Sequence, residues 1–287
     1  MTIQIDGVGP PLVTPFTREG DVDYDRLREL VGWVESRGVD FLVPCGTTSE
    51  AELLTNDERA KVIETVVDVA SVPVIAGTGH PGLRETTQSI ERAAVAGADA
   101  ALVVTPFYYS HSQKAFISYY REVAGRSDLP VYLYSVPAYT DAHLEPETVG
   151  ALADHPNIVG IKDSSGLFGR FTQTQRRVDT EFTLLVGSAS LLASSLAAGG
   201  DGAILAVANL HPESAAAVPD LVDRDPARAN SETSRLNEIH QTVFEYGIPG
   251  LKWAMRERSA PAGYPRSPHQ PLTEEQQEGL RRALEGV

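Results

Sequence analysis

Three residue groups in this chain have the types and spacing to do chemistry together: a lysine that ends one apolar run, two threonines that follow another, and a tyrosine that closes a third. The run Ile158-Val159-Gly160-Ile161 leads into Lys162 and then breaks into Asp163-Ser164-Ser165-Gly166. Apolar residues at this density, bounded by Pro156 and Gly166, predict a strand buried on both faces, as in a parallel sheet. Lys162 then sits at its C-terminal end, the edge where α/β folds collect catalytic groups because loops there surround a ligand. A free lysine titrates near 10.4, so holding a neutral amine at pH 7 takes on the order of 4–5 kcal/mol, and burial acts in that direction. A neutral amine so placed attacks a ketone and forms a Schiff base. The same segment also fits a lysine that snorkels to solvent or pairs with Asp163, so its neighbours decide.

Gly46-Thr47-Thr48-Ser49-Glu50 follows the run Phe41-Leu42-Val43-Pro44-Cys45. Hydroxyls beside a glycine, leading toward a helix N-terminus, offer donors that suit a small carboxylate; an ordinary helix cap has the same composition. Leu133-Tyr134-Ser135-Val136-Pro137 closes the run before the lysine run, which places Tyr134 beside Lys162. A phenol there can carry protons, and it can equally be packing with its hydroxyl at the rim. Thr105-Pro106-Phe107-Tyr108-Tyr109 supplies further phenols. A keto acid needs an amine for its carbonyl and donors for its carboxylate, and both are available if these run ends share one mouth.

The elements that must bring them there recur about every 30 residues, a spacing that fits βα units. Candidate strands are Gly7–Val13, Asp40–Cys45, Pro73–Gly77, Ala100–Thr105, Pro130–Tyr134, Ile158–Lys162, Thr183–Gly187 and Gly202–Val207. Between them lie segments of helical period, such as Asp25–Arg37 with Leu27, Leu30, Val31 and Val34 on one face, and Asn56–Ala70, where Asn56 reads as a partial cap. Eight units predict a TIM (β/α)8 barrel over residues 1–210, and 287 residues leave a C-terminal helical extension over 211–287, packed on the barrel as one structural unit. No apolar run is long enough for a membrane span and no signal peptide is indicated, so the expected location is the cytoplasm. The net charge of −15 excludes a basic nucleic-acid footprint and attraction to an anionic membrane. Only Lys61, Lys114, Lys162 and Lys252 are lysines, a surface that resembles those of proteins from salt-loving organisms. Cys45 stands alone and reads as a small core residue, and the seven histidines read as scattered surface residues without ligand spacing. No metal or nucleotide-binding motif is present, so no cofactor is expected.

In order and spacing, Val13-Thr14-Pro15-Phe16, Gly46–Glu50, Pro73–Gly77, Thr105–Tyr108, Tyr134–Pro137, Gly160–Asp163 and Gly199–Gly202 resemble the dihydrodipicolinate synthase and N-acetylneuraminate lyase family across nearly the whole chain. The resemblance implies that Lys162 forms the Schiff base with pyruvate and that Thr48 and the adjoining backbone hold its carboxylate. Tyr134 and Thr47 would relay protons, Tyr108 would reach a neighbouring subunit's site, and the backbone of Ile204 would line the pyruvate site. It also implies a homotetramer built as a dimer of dimers, small keto acid and aldehyde substrates, and no metal, since the protonated imine is the electron sink. Two departures bear on the substrate. Tyr139 stands where synthases of the lysine pathway carry an arginine for the second substrate's carboxylate, and Gly187, Ser188 and Ser190 replace the acidic residues with which sialic acid lyases hold a sugar. With Gly263–Pro268, which is similar to archaeal 2-keto-3-deoxygluconate aldolases, they lead to the expectation of an aldolase cleaving that sugar acid or its 6-phosphate. A 4-hydroxy-tetrahydrodipicolinate synthase or another lyase using the same imine is the alternative, and a non-catalytic barrel is the third reading. Arg121, Arg126, Arg170, Arg235 and Arg266 are candidate phosphate ligands.

Overall fold

Short Val-, Ile- and Ala-rich runs separated by helices leave parallel pairing as the way to bury every strand, and the chain closes them into a ring. The structure, a computed structural model, describes residues 5–286. Seven strands form a continuous parallel sheet: β1 (Gly7–Gly9), β3 (Ile75–Gly77), β4 (Ala100–Val104), β5 (Val131–Ser135), β6 (Ile158–Asp163), β7 (Thr183–Val186) and β8 (Gly202–Ile204), with β1 paired to β8. The gap between β1 and β3 is filled by residues 41–45, here β2, which bridge in parallel to Pro11 on one side and Val74 on the other. Leu12 N donates to Val43 O at 3.0 Å and Ile75 N to Leu42 O at 2.9 Å, so the ring is complete. Prolines 10, 11, 44 and 73 remove ladder donors along this seam, which is why β1 and β2 are shorter than their apolar runs suggest.

Alternation along the strands divides the core in two. Phe41, Ile75, Leu102, Tyr132, Leu185 and Ile204 fill the barrel interior, whereas Leu42, Ala76, Val103, Leu133 and Leu184 face the helices. Gly160 is required by this packing, because a Cβ there would come within 2.5 Å of the Tyr132 ring. Two residues further along the same face is Lys162.

Around the ring lie α1 (Tyr24–Glu35), α2 (Asn56–Val67), α3 (Leu83–Ala96), α4 (Gln113–Arg126), α5 (Pro146–Ala153), α6 (Phe168–Gln175), α7 (Leu192–Ala197) and α8 (Pro212–Arg224). The boundary drawn at 210/211 runs between β8 and α8, a helix that packs against β1 and α7. Then come α9 (Pro226–Phe244), α10 (Gly247–Glu257) and α11 (Glu274–Leu284). The cap of α2 is Thr55, not Asn56: Thr55 Oγ1 accepts from Glu58 N at 3.2 Å, and the Glu58 carboxylate accepts from Thr55 N at 2.9 Å. Among the described residues, no helix is long and apolar enough to cross a membrane.

Candidate active site

The register of β5 against β6 sets Tyr134 directly opposite Lys162, on the inward face of the barrel at the C-terminal end of both strands. Lys162 is 6% exposed, and its Nζ lies 4.3 Å from the centroid of the Tyr134 ring. It neither snorkels to solvent nor turns toward Asp163, whose carboxylate accepts from Ser165 N at 2.8 Å. Successive strand residues face opposite ways, so Asp163 points out of the barrel where Lys162 points in.

Past β2 the chain turns through Gly46 into a short 3-10 segment, Thr47–Ser49, fixed by Ser49 Oγ, which accepts from Gly46 N at 3.1 Å and donates to Leu12 O at 2.5 Å. This brings the Thr47 hydroxyl to 3.4 Å from the Tyr134 hydroxyl, a loose contact of the kind that tightens when a ligand arrives. Thr48 is buried beside it. Gly187 continues β7 past Lys162, and a Cβ there would stand 1.8 Å from Ser164 Oγ and 3.1 Å from Lys162 Cε. Glycine at 187 therefore leaves room for Ser164 and for the Lys162 side chain beside it. Ser188 Oγ bonds Ser190 Oγ at 2.9 Å next to it, and Ile204 is buried at the end of β8.

Thr47, Tyr134 and Tyr139 line one cavity of about 630 Å³, together with Glu50, Phe107 and His269. Tyr139 lies on the short helix Pro137–Thr140 and is 66% exposed. Tyr108 is not brought into this cavity. Its φ is +77° and it is 87% exposed, with its ring edge-on to Tyr109. None of the five candidate phosphate arginines lines the cavity: Arg126, Arg170, Arg235 and Arg266 pair with Glu122, Glu145, Glu232 and Glu58, and Arg121 donates to Ala151 O.

The chain belongs to the dihydrodipicolinate synthetase family. That family's sequence model matches residues 4–287. The chain is 37% identical to a 4-hydroxy-tetrahydrodipicolinate synthase of Haloarcula marismortui, covering 98% of this chain and 94% of that one. It is 39% identical to the enzyme of the same name in Natronomonas pharaonis, over 97% and 96%. The fold superposes with a TM-score of 0.93, at 33% identity and 98% coverage of both chains, on a chloride-inhibited dihydrodipicolinate synthase from Acinetobacter baumannii complexed with pyruvate. These relatives place the chain among enzymes of a lyase family and overturn the expectation of a 2-keto-3-deoxygluconate aldolase. That expectation leaned on Tyr139 and Ser188, which lie on exposed or half-exposed turns beyond the strand ends, where sequence drifts fastest.

Glu50, Lys252 and His269 escaped the reading of the sequence. Lys252 is completely buried and bonded to Glu50, and His269, read as a surface histidine, faces the cavity with Nδ1 at 2.8 Å from Glu50 Oε2. The available signal was Lys252 itself, the single lysine of an apolar helix in a sequence with only four lysines.

Proposed function

We propose that Lys162 forms a Schiff base with pyruvate and that the enamine derived from it adds to aspartate semialdehyde, as in a 4-hydroxy-tetrahydrodipicolinate synthase. The observation that carries this reading is the buried Lys162 amine against the Tyr134 ring, with the Tyr134 hydroxyl 3.4 Å from Thr47 Oγ1. The Lys162 nitrogen attacks the keto carbon, and the carbonyl oxygen takes a proton to give a carbinolamine. That oxygen leaves as water after a second protonation, for which the Tyr134 hydroxyl is the donor and Thr47 the relay. Loss of a methyl proton sends an electron pair to the iminium nitrogen. The resulting enamine carbon attacks the aldehyde, whose oxygen takes a proton in turn. Thr48 and the neighbouring backbone N–H groups hold the pyruvate carboxylate, the Ile204 backbone lines its site, and Gly187, Ser188 and Tyr139 face the aldehyde.

In this reading the assembly is a homotetramer, a dimer of dimers, with Tyr108 of one subunit completing the proton relay of its neighbour. An exposed tyrosine held at φ +77° supports that role, since the conformation costs about 1–3 kcal/mol and such strain gathers at functional positions.

Borohydride reduction in the presence of pyruvate should add mass to the peptide carrying Lys162, and Lys162→Ala should abolish trapping. An adduct on Lys61, Lys114 or Lys252 would overturn the site. Trapping without consumption of aspartate semialdehyde in a coupled assay would overturn the second substrate and leave the imine in place.

A further inference from the structure

The barrel mouth holds a second buried lysine with no part in imine chemistry. Lys252 Nζ meets Glu50 Oε1 at 2.5 Å, Thr14 O at 2.6 Å and Tyr264 O at 2.8 Å, above the Phe16 ring at 4.4 Å. The other Glu50 oxygen accepts from Arg266 N at 3.0 Å and faces His269 Nδ1 at 2.8 Å. One carboxylate thus joins the turn after β2 to α10 and to the 264–269 loop, while its lysine also holds the loop after β1.

We propose that Glu50, Lys252 and His269 are positioning residues through which the C-terminal extension sets the Thr47–Thr48 turn and thereby the affinity for the keto acid carboxylate. The proposal rests on the reading of that turn as the carboxylate holder. Glu50 directly follows Ser49 and sits at φ +56°, a left-handed conformation that a side chain adopts only when its surroundings enforce it. Thr47 O accepts from Glu50 N at 3.1 Å and Leu53 N donates to Glu50 O at 2.9 Å, which holds the backbone, and the two bonded carboxylate oxygens fix the side chain upon it. Stability alone is a poor account of the pair, because a buried ion pair recovers little more than its own desolvation and an apolar replacement often serves the fold as well. Orientation is what such a pair provides and an apolar contact does not. Burial pulls the Lys252 ammonium down to about 8 against the opposing effect of Glu50, so its charge depends on that partner. His269 is the member open to the cavity, which it lines with Glu50, Thr47 and Tyr134.

The test is borohydride trapping on the full chain across a range of pyruvate concentrations, with kcat and the semialdehyde KM measured in parallel. Glu50→Gln should raise the pyruvate concentration for half-maximal trapping about tenfold, the cost of one charge-assisted contact, with the semialdehyde KM unchanged. His269→Asn, at a half-exposed position, should raise it about threefold, and the double variant Glu50→Gln/Lys252→Met, with no charge left unpaired, should match Glu50→Gln. Variants that melt at lower temperature but bind pyruvate as the parent does would overturn the proposal, and His269→Asn alone decides it if the buried variants do not fold. Absence of trapping in the unmodified chain would instead overturn the function on which it rests.

Discussion

Tyr134 separates packing from chemistry at a single oxygen. Its ring supports the Lys162 amine at 4.3 Å, and its hydroxyl alone reaches Thr47. Tyr134→Phe keeps the ring, so turnover should fall by on the order of 10²–10⁴ while the melting temperature stays within a few degrees. A kcat near that of the parent would assign the residue to packing. Tyr139 offers the opposite experiment. A phenol gives a carboxylate one neutral donor, where an arginine gives a charged fork worth about 1.5–3 kcal/mol more. Because Tyr139 is 66% exposed on the short helix after β5, the longer side chain has room. Tyr139→Arg should therefore raise kcat/KM for aspartate semialdehyde by roughly 10- to 100-fold without altering imine trapping. An unchanged or lower value would show that the semialdehyde's carboxylate is held elsewhere.

At the scale of elements, the apolar runs and the βα rhythm located the strands because a strand buried on both faces must be apolar throughout, and that signal is local. The relative placement of Lys162 and Tyr134 was legible for the same reason, since adjacent strands in a barrel present corresponding ends. What lies 202 and 238 residues apart, as Glu50 and Thr14 do from Lys252, leaves no periodic trace. The cap of α2 was misplaced by one residue because Thr55 and Asn56 are both capping types, and only the Glu58 bond tells them apart. Glu58 also receives both guanidinium nitrogens of Arg266, at 2.8 and 2.6 Å, and this pair draws its carboxyl down to about 2. A lowered carboxyl contributes stability above its unfolded value near 4.3 and loses it as pH falls toward 2. His211 is displaced in a different window: burial, then Arg258 and Arg235, hold it at about 4, so the unfolded chain binds the proton first and stability falls from about pH 6.5 to 4. Thermal melts should thus show two acid-destabilising segments. Glu58→Gln should flatten the lower one and His211→Asn the upper. A single transition unaffected by either variant would show that neither group is linked to folding.

The proposed tetramer would have to reconcile a net charge of −15 with association into a symmetric assembly. Like charges oppose association at low ionic strength, and molar salt shortens the Debye length to about 3 Å, so subunit contacts should form most completely in high salt. The feature that calls for such a contact is Tyr108 with Tyr109, 87% and 70% exposed and set on a left-handed backbone at Tyr108. Two large phenols left in water gain nothing from that strain, whereas a second copy burying them would give closed twofold symmetry and carry each Tyr108 toward its neighbour's Lys162. Complementation separates this from a role within one subunit. Lys162→Ala lacks its own amine but can donate Tyr108, and Tyr108→Phe lacks the donated phenol but keeps its amine. Each should be nearly inactive alone. Mixed and reassociated one to one, about half of the dimers contain one subunit of each variant and each regenerates one intact site, so the mixture should recover roughly a quarter of the parent activity. Sedimentation in the same high-salt buffer should give the tetramer for every sample. Activity no higher than the mean of the two variants would place Tyr108 outside the neighbour's site, and a fully active monomer would remove the need for a partner at all.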